Sequence, residues 1–301
     1  INIAMNTQLP TLRQLRFLVT LADEGNFSRA AEACHVTQPT LSAAIKELEA
    51  TLGVTLVERG ARGTTLTPAG EAAVARAWKT LAEAEDLVQA ARAAGEPLSG
   101  PFRLGVIPTI APFLLPKLLP VLSAAHERLQ LYLREDLTER LLDGLRARNL
   151  DAALIALPYE APGIESVTVG PDEFLFAAAA DHPLASRDTV SASDLDNEKL
   201  LMLEDGHCLR DHALAVCSAA ASRSDFAATS LHTLAQMVKS GLGATLLPRL
   251  AVEGGVTDGL GLVVKPFTPA VIGREIGIAW RKGSAREAEA RLIAETLDGV
   301  I

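Results

Sequence analysis

The stretch Leu12 to Ala72, LRQLRFLVTLADEGNFSRAAEACHVTQPTLSAAIKELEATLGVTLVERGARGTTLTPAGEA, decides the fold of this chain. Leu12, Leu15, Leu18, Val19 and Ala22 recur at helical spacing, and Gly25 with Asn26 ends that pattern. Ser28 is the expected cap of a second helix through Arg29, Ala30, Ala31 and Cys34, whose small residues admit a close neighbour. His35 and Val36 make the turn. Thr37 is a good cap for a third helix, with Pro39 tolerated in its first turn, and Leu41, Ile45, Leu48 and Leu52 form one apolar stripe. Gln38, Thr40, Ser42 and Lys46 lie off that stripe near the helix start. Such residue types reach base edges and phosphates when the start of a recognition helix enters the major groove. Taken alone, the same pattern also describes an ordinary solvated helix face.

The residues beyond the third helix favour the DNA reading. Val54 to Glu58 and Thr64 to Leu66 are short β-prone stretches around Arg59, Gly60, Arg62 and Gly63, as in a two-stranded wing with basic residues at its tip. Thr67 and Pro68 then open a long helix, because Thr caps and Pro fits the first turn. Its Gly70, Val74, Ala77, Leu81, Ala84, Val88 and Ala91 alternate spacings of four and three, the seam of a two-stranded coiled coil. From Pro68 to Ala94 such a helix is about 40 Å long. A dimer formed through it would hold two recognition helices at a fixed separation, as paired half-sites require.

Composition argues the other way. The 301 residues carry 28 Lys and Arg against 37 Asp and Glu, a formal charge of −9, whereas phosphate neutralisation needs clustered cations. Residues 1–70 contain six basic and six acidic side chains, so the excess acid lies downstream. DNA affinity is therefore expected to lean on Arg29, Lys46, Arg59 and Arg62, and on pairing of copies. Half the chain is hydrophobic and it is long enough for two or three cores, while no apolar run approaches the ~20 residues that span a bilayer. Ile1 to Ala4, ahead of Met5, have neither the basic start nor the apolar run of a signal peptide and read as an expression remnant. The expected location is the cytoplasm. Three cysteines there make no disulfide scaffold, and none has metal-ligand spacing, so neither a metal nor a cofactor is expected.

Gly95, Pro97, Gly100 and Pro101 supply a hinge. Beyond it, strands at Phe102 to Ile107, Leu129 to Arg134 and Asp151 to Leu157 alternate with helices at Phe113 to Ala125 and Thr138 to Arg146, which predicts a parallel sheet. The scheme repeats with strands at Glu173 to Ala179, Lys199 to Leu203, Asp225 to Thr229 and Gly243 to Leu247, and helices at Cys208 to Ala220 and Leu231 to Ser240. A final strand at Arg274 to Trp280 and a helix from Ser284 return to the first lobe. Ligands in such folds bind at the carboxyl ends of strands, between lobes.

Within the second lobe, KLLMLEDGHCLRDHALAVC, residues 199–217, sets Cys208 at a helix start after the Asp205–Gly206 turn, with Cys217 nine positions on. Peptide N–H groups, with His207 and Arg210 beside the sulfur, favour a thiolate and hence a nucleophile. Both cysteines could equally be buried small hydrophobes. Across nine helical steps the two Cα atoms would be about 13–14 Å apart, against roughly 4.4–6.8 Å for a disulfide, so a bond between them requires local unwinding.

The segment 12–72 resembles the DNA-binding part of LysR-type transcriptional regulators over essentially its whole length. That resemblance implies an α/β multidomain chain. It would consist of a winged helix-turn-helix (5–67), a linker helix that dimerises (68–95), a hinge (96–100) and a regulatory domain built like a two-lobed periplasmic binding protein. Lobe I would be 101–170 with 269–301, and lobe II, carrying the cysteines, 171–268. FRLGVIPTIAPFLLP (102–116) and the Cys208 segment further resemble the hydrogen-peroxide-sensing members of that family. By that resemblance Cys208 is the peroxidatic and Cys217 the resolving cysteine. Thr109 and Thr138 would line a peroxide pocket with His207 and Asp211, and Arg274 of GREIGIAW would join them. Arg29, Thr37, Gln38, Pro39, Thr40, Ser42, Lys46, Arg59 and Arg62 would meet double-stranded promoter DNA of antioxidant genes. The implied partners are a second copy, a homotetramer, RNA polymerase and cellular thiol reductants, and the chain would be a sensor and no enzyme. Two rival readings stand beside it: a LysR-type regulator answering a small organic effector in the interlobe cleft, and a thiol peroxidase using Cys208.

Overall fold

The computed structural model describes residues 9–60, 63–93, 96–196, 198–216 and 222–300, and divides into two compact units, one through Gln89 and one from Ala90 on. In the first unit, α1 (Leu12–Glu24) begins with a capping box in which Thr11 and Gln14 satisfy each other's backbone N–H, and ends at Gly25 in the left-handed region, φ 60°. α2 (Phe27–Ala33) is capped by Asn26, whose Oδ1 accepts from Ser28 N at 2.8 Å and Arg29 N at 3.2 Å. The cap is thus two residues earlier than the expected Ser28, because the Asn carboxamide reaches both first-turn donors and puts Phe27 in the core. α3 (Gln38–Leu52) is capped by Thr37, as expected. Phe17, Leu18, Leu21, Ala30, Ala31, Leu41, Ile45, Leu48 and Leu56 form the core of this unit.

The wing strands, β1 (Val57–Gly60) and β2 (Gly63–Leu66), pair antiparallel, and Glu49 of α3 ties down their base by accepting from Leu56 N and Val57 N at 2.8 and 3.2 Å. β1 starts three residues later than expected. α4 (Pro68–Ala93) follows the Thr67 cap, whose Oγ1 accepts from Gly70 N at 3.0 Å. The first residues of the expected seam belong elsewhere. Gly70 is held so close to the Leu56 carbonyl that no Cβ fits, and Val74 packs on the core of its own unit. Farther along α4, Trp78, Leu87 and Val88 are exposed apolar side chains. Ala94 lies outside the described residues.

The second unit contains β3 (Gly100–Val106), α5 (Ala111–Ala125), β4 (Leu129–Glu135), α6 (Thr138–Arg146), β5 (Ala152–Leu157) and β6 (Ile164–Ala178). It continues through β7 (Lys199–Leu203), α7 (Cys208–Val216), β8 (Ser222–Ala228), α8 (Leu231–Lys239), β9 (Thr245–Pro248), α9 (Arg249–Glu253), β10 (Val263–Pro266), β11 (Ile272–Arg281) and α10 (Glu287–Asp298). One seven-stranded sheet has the order β10-β6-β11-β5-β3-β4, with β9 also on β6, and β7 pairs with β8 in a second sheet. The sheet is mixed, which corrects the expected parallel one: β3 pairs parallel with β4 and β5, but β11 runs antiparallel to β5 and β6, and β9 and β10 antiparallel to β6. Helical crossovers enforce parallel neighbours, and no helix separates β5 from β6 or β10 from β11.

β6 is also longer than the expected strand at Glu173 to Ala179. It pairs with β11 from Ile164 to Glu173 and with β9 and β10 from Phe174 to Ala178, so a single strand serves both lobes. The final strand β11 lies between β5 and β6, and α10 packs on β11, β6 and α5. The start of this unit is anchored by α10: Leu98, φ 55°, donates its N–H to Glu289 at 2.8 Å, and Arg286, paired with Glu289, donates to the Pro101 carbonyl at 3.1 Å. Burial raises the Glu289 pKa above the usual carboxylate value, against the pull of Arg286.

Candidate functional site

The first unit offers a polar surface at the start of α3. Thr37, Gln38, Pro39, Thr40 and Lys46 are exposed and Ser42 is partly so. The Thr37 and Thr40 hydroxyls bond each other at 2.8 Å while Thr37 caps the helix. Arg29 is 66% exposed but is not a lone cation, since it pairs with the Glu24 carboxylate at 3.4 Å and with the Glu24 carbonyl. Arg59 sits on β1, at the wing, and Arg62 lies outside the described residues.

In the second unit, three chain turns that follow β3, β4 and β7 meet. Ile107, Pro108 and Thr109 follow β3, Leu137 and Thr138 open α6, and Gly206, His207 and Cys208 join β7 to α7. Together they line a pocket of about 170 Å³, its open mouth included. Gly206 has φ 95°, a backbone state that lets the β7–α7 turn bring Cys208 round as the first residue of its helix. The half-buried Cys208 sulfur therefore sits at the end of α7 where the peptide N–H groups are unpaired by the helix itself.

Two hydroxyls face this thiol. Thr138 is 3% exposed, and its Oγ1 is buried with no hydrogen-bond partner among the described residues. A buried hydroxyl left so is costly, and its orphaned state in the wall of a pocket points to a ligand that completes it. Thr109, also 3% exposed, accepts a 2.6 Å hydrogen bond from Arg274 Nη1. With one lone pair engaged from behind, its O–H is available to donate forward. Arg274 is not itself a wall residue. It lies behind Thr109, donating to the Thr109 carbonyl at 3.0 Å and from Nε to Asp172 Oδ2 at 2.9 Å, with both side chains of that ion pair at most 2% exposed. Asp172 completes its set by accepting from Leu250 N at 3.0 Å.

The charge expected beside Cys208 is deployed differently. Burial holds the His207 pKa below the ordinary value, Glu204 opposing, so at neutral pH this imidazole is uncharged. Arg210 closes the β7–α7 turn, pairing with Asp205 at 3.0 Å and donating to the Leu203 carbonyl at 3.0 Å. Asp211 is exposed in the first turn of α7 and is not part of the pocket wall. Thr109, Thr138, His207 and Cys208 are thus brought together, Arg274 supports them, and Asp211 stands apart. Cys217 lies outside the described residues. Sequence reasoning missed Asp172, Tyr159 and His212. Burial raises the Tyr159 pKa, with Glu139, Cys208 and Asp143 adding to it, and His212 follows Cys208 by one helical turn. Asp172 has no distinguishing sequence signal, since β6 also carries Glu165 and Glu173.

Comparison with known proteins fits this arrangement. Residues 12–71 match the bacterial regulatory helix-turn-helix protein, lysR family, and residues 95–300 match the LysR substrate binding domain. The chain belongs to the LysR family of bacterial transcriptional regulators. Within it the chain closely resembles OxyR: it is 43% identical over 288 residues to the DNA-binding transcriptional dual regulator OxyR of Escherichia coli K12, covering 95% of this chain and 94% of that one. A full-length Pseudomonas aeruginosa OxyR with a cysteine-to-aspartate substitution is 37% identical, TM-score 0.76, covering 97% of this chain and 99% of that one. A hydrogen-peroxide-bound Corynebacterium glutamicum OxyR with a cysteine-to-serine substitution is 38% identical, TM-score 0.66, covering 97% and 94%.

Proposed function

We propose that this chain is a peroxide-sensing transcriptional regulator in which Cys208 is the sensing thiol and Cys217 resolves it. The observation that carries the reading is the pocket in which Cys208, at the start of α7, faces the unpartnered Thr138 hydroxyl and the Thr109 hydroxyl primed by Arg274. The Cys208 thiolate attacks one oxygen of hydrogen peroxide, forming S–O as O–O breaks, and the two hydroxyls donate to the departing hydroxide, which leaves as water after taking up a proton. Attack of the Cys217 thiol on the sulfenic sulfur then forms S–S and releases a second water. Two electrons from a cellular dithiol reset the pair. One event per chain is a signal, and turnover is not required of it.

Even counted to its mouth, the pocket falls short of the roughly 300–1,000 Å³ that holds a drug-sized organic ligand. At the thiol, that size suits a peroxide and not such an effector. The Phe113 ring of α5 also stacks on His232 of α8, centroids 5.5 Å apart. The output is promoter DNA of antioxidant genes, read by α3 and the wing in a dimer formed through the exposed apolar part of α4. Two dimers make a tetramer whose geometry, and contact with RNA polymerase, changes with the thiol state, in the cytoplasm where dithiol reductants act.

Mass spectrometry after a near-stoichiometric dose of peroxide tests the reading. A Cys208–Cys217 linkage is expected, its absence overturns the assignment, and many turnovers with a thiol donor would move the chain to the peroxidases. Replacing Thr138 with Val tests the pocket separately. It removes one donor at constant shape, so stopped-flow oxidation of Cys208 should slow by about 10²-fold. The melting temperature should hold or rise, because the hydroxyl lost was unsatisfied.

A further inference from the structure

His212 lies one turn beyond Cys208 on the same face of α7, a helix that packs on β11 and β7. Its Nδ1 is buried with no hydrogen-bond partner among the described residues. The charge it meets from β11 is Arg274, whose hydrogen-bonding partners are already committed: the carboxylate of Asp172 and both oxygens of Thr109 receive its donors, and the second Asp172 oxygen takes Leu250 N. β7, which also packs on α7, presents the buried apolar run Leu200 to Leu203. On α7 itself Asp211 is exposed, and Arg210 is held by Asp205. A proton on His212 would therefore put a second, buried cation near Arg274, whose carboxylate partner Asp172 has no acceptor to offer the imidazole, and only the exposed Asp211 would supply opposing charge.

We propose that His212 is a positioning residue that keeps α7, and with it Cys208, docked on β11 only while its imidazole is neutral, so that acid releases the helix carrying the thiol. Its consequence for sensing rests on the role given to Cys208 above; the docking itself does not. Burial first and Arg274 second hold the His212 pKa below the ordinary value, with Asp211 opposing. Once α7 is released, the imidazole returns to about 6.5. Docking is then independent of pH above about 6.5 and weakens by up to about tenfold per pH unit below it, until the docked imidazole itself titrates.

Hydrogen exchange of the α7 amides, corrected for intrinsic rates, is to be measured in the reduced full-length protein at about pH 5.5 and about pH 7.5. The native chain should show more opening of α7 at the lower pH, and His212→Gln, which removes one of the two burial-depressed imidazoles of this segment and leaves His207, should show a smaller rise. Equal responses of the two proteins would overturn the proposal. NMR titration of the native His212 ring supplies a check that needs no variant: a midpoint below the ordinary value is expected in the reduced protein, and an ordinary midpoint would likewise overturn it. The rate of Cys208 oxidation by peroxide on the same samples separates the two readings. If the thiol is inert at every pH, the sensing role falls, while the exchange data still decide the docking.

Discussion

A chain carrying Cys208→Ser should keep its fold and its DNA binding and lose every response to hydrogen peroxide. The nucleophile is the thiolate, and a serine hydroxyl offers no comparable anion at neutral pH and no second-electron chemistry with Cys217. The substitution is nearly isosteric at a half-buried position, so its effect on stability should stay within about 1 kcal/mol. Footprinting on promoter DNA before and after peroxide is the measurement, and an unchanged footprint is the expected result. Cys34 is the internal control: it is a half-buried thiol in the first unit, packed against the helix-turn-helix core, and its mass should be unaltered at a near-stoichiometric dose. A peroxide response that survived Cys208→Ser would return the organic-effector reading to the front.

Arg274→Met should strongly destabilise the regulatory unit, costing about 3–5 kcal/mol by denaturant titration, because it strands the Asp172 carboxylate in the core with one backbone donor. The charge, rather than the lost packing, is responsible, so the double variant Arg274→Met with Asp172→Leu should recover much of the loss. Thr109 also loses the donor that fixes its rotamer, and Cys208 should oxidise more slowly in both variants even where the fold is restored. Equal instability of the single and double variants would mean that shape, and not the buried ion pair, holds this junction.

The sequence was most informative where chemistry is local. Thr37 as a cap, Thr138 to Arg146 as a helix and Cys208 as the first residue of α7 all follow from nearest neighbours, and all are present as read. Asn26 and Ser28 are both good caps two positions apart, and only burial of Phe27 decides between them. Strand direction leaves no trace in apolar periodicity, so β11 running against β5 was hidden. The first half of β6 was hidden too, because Gly170 and Pro171 inside it look like a turn when they are an irregular point in a paired strand. At the site, Thr109 and Thr138 came from resemblance, while the link from Thr109 through Arg274 to Asp172 spans 165 and 102 positions and has no local signature. The polarity of Arg210 was legible, but not its use, since Asp205 and the Leu203 carbonyl capture it.

The long strand β6 sets a limit on how the regulatory unit can speak. Because one ribbon of 15 residues is hydrogen-bonded into both lobes, they share a spine and lack the free pivot of a clamshell that shuts on its cargo. A peroxide molecule is too small to pull two such bodies together in any case. If α7 is released from β11 as proposed above, the message is a local change of surface relief. A receptor built this way reports that an encounter has happened and carries no measure of how tightly anything was held, so its memory lasts as long as the bond it wrote.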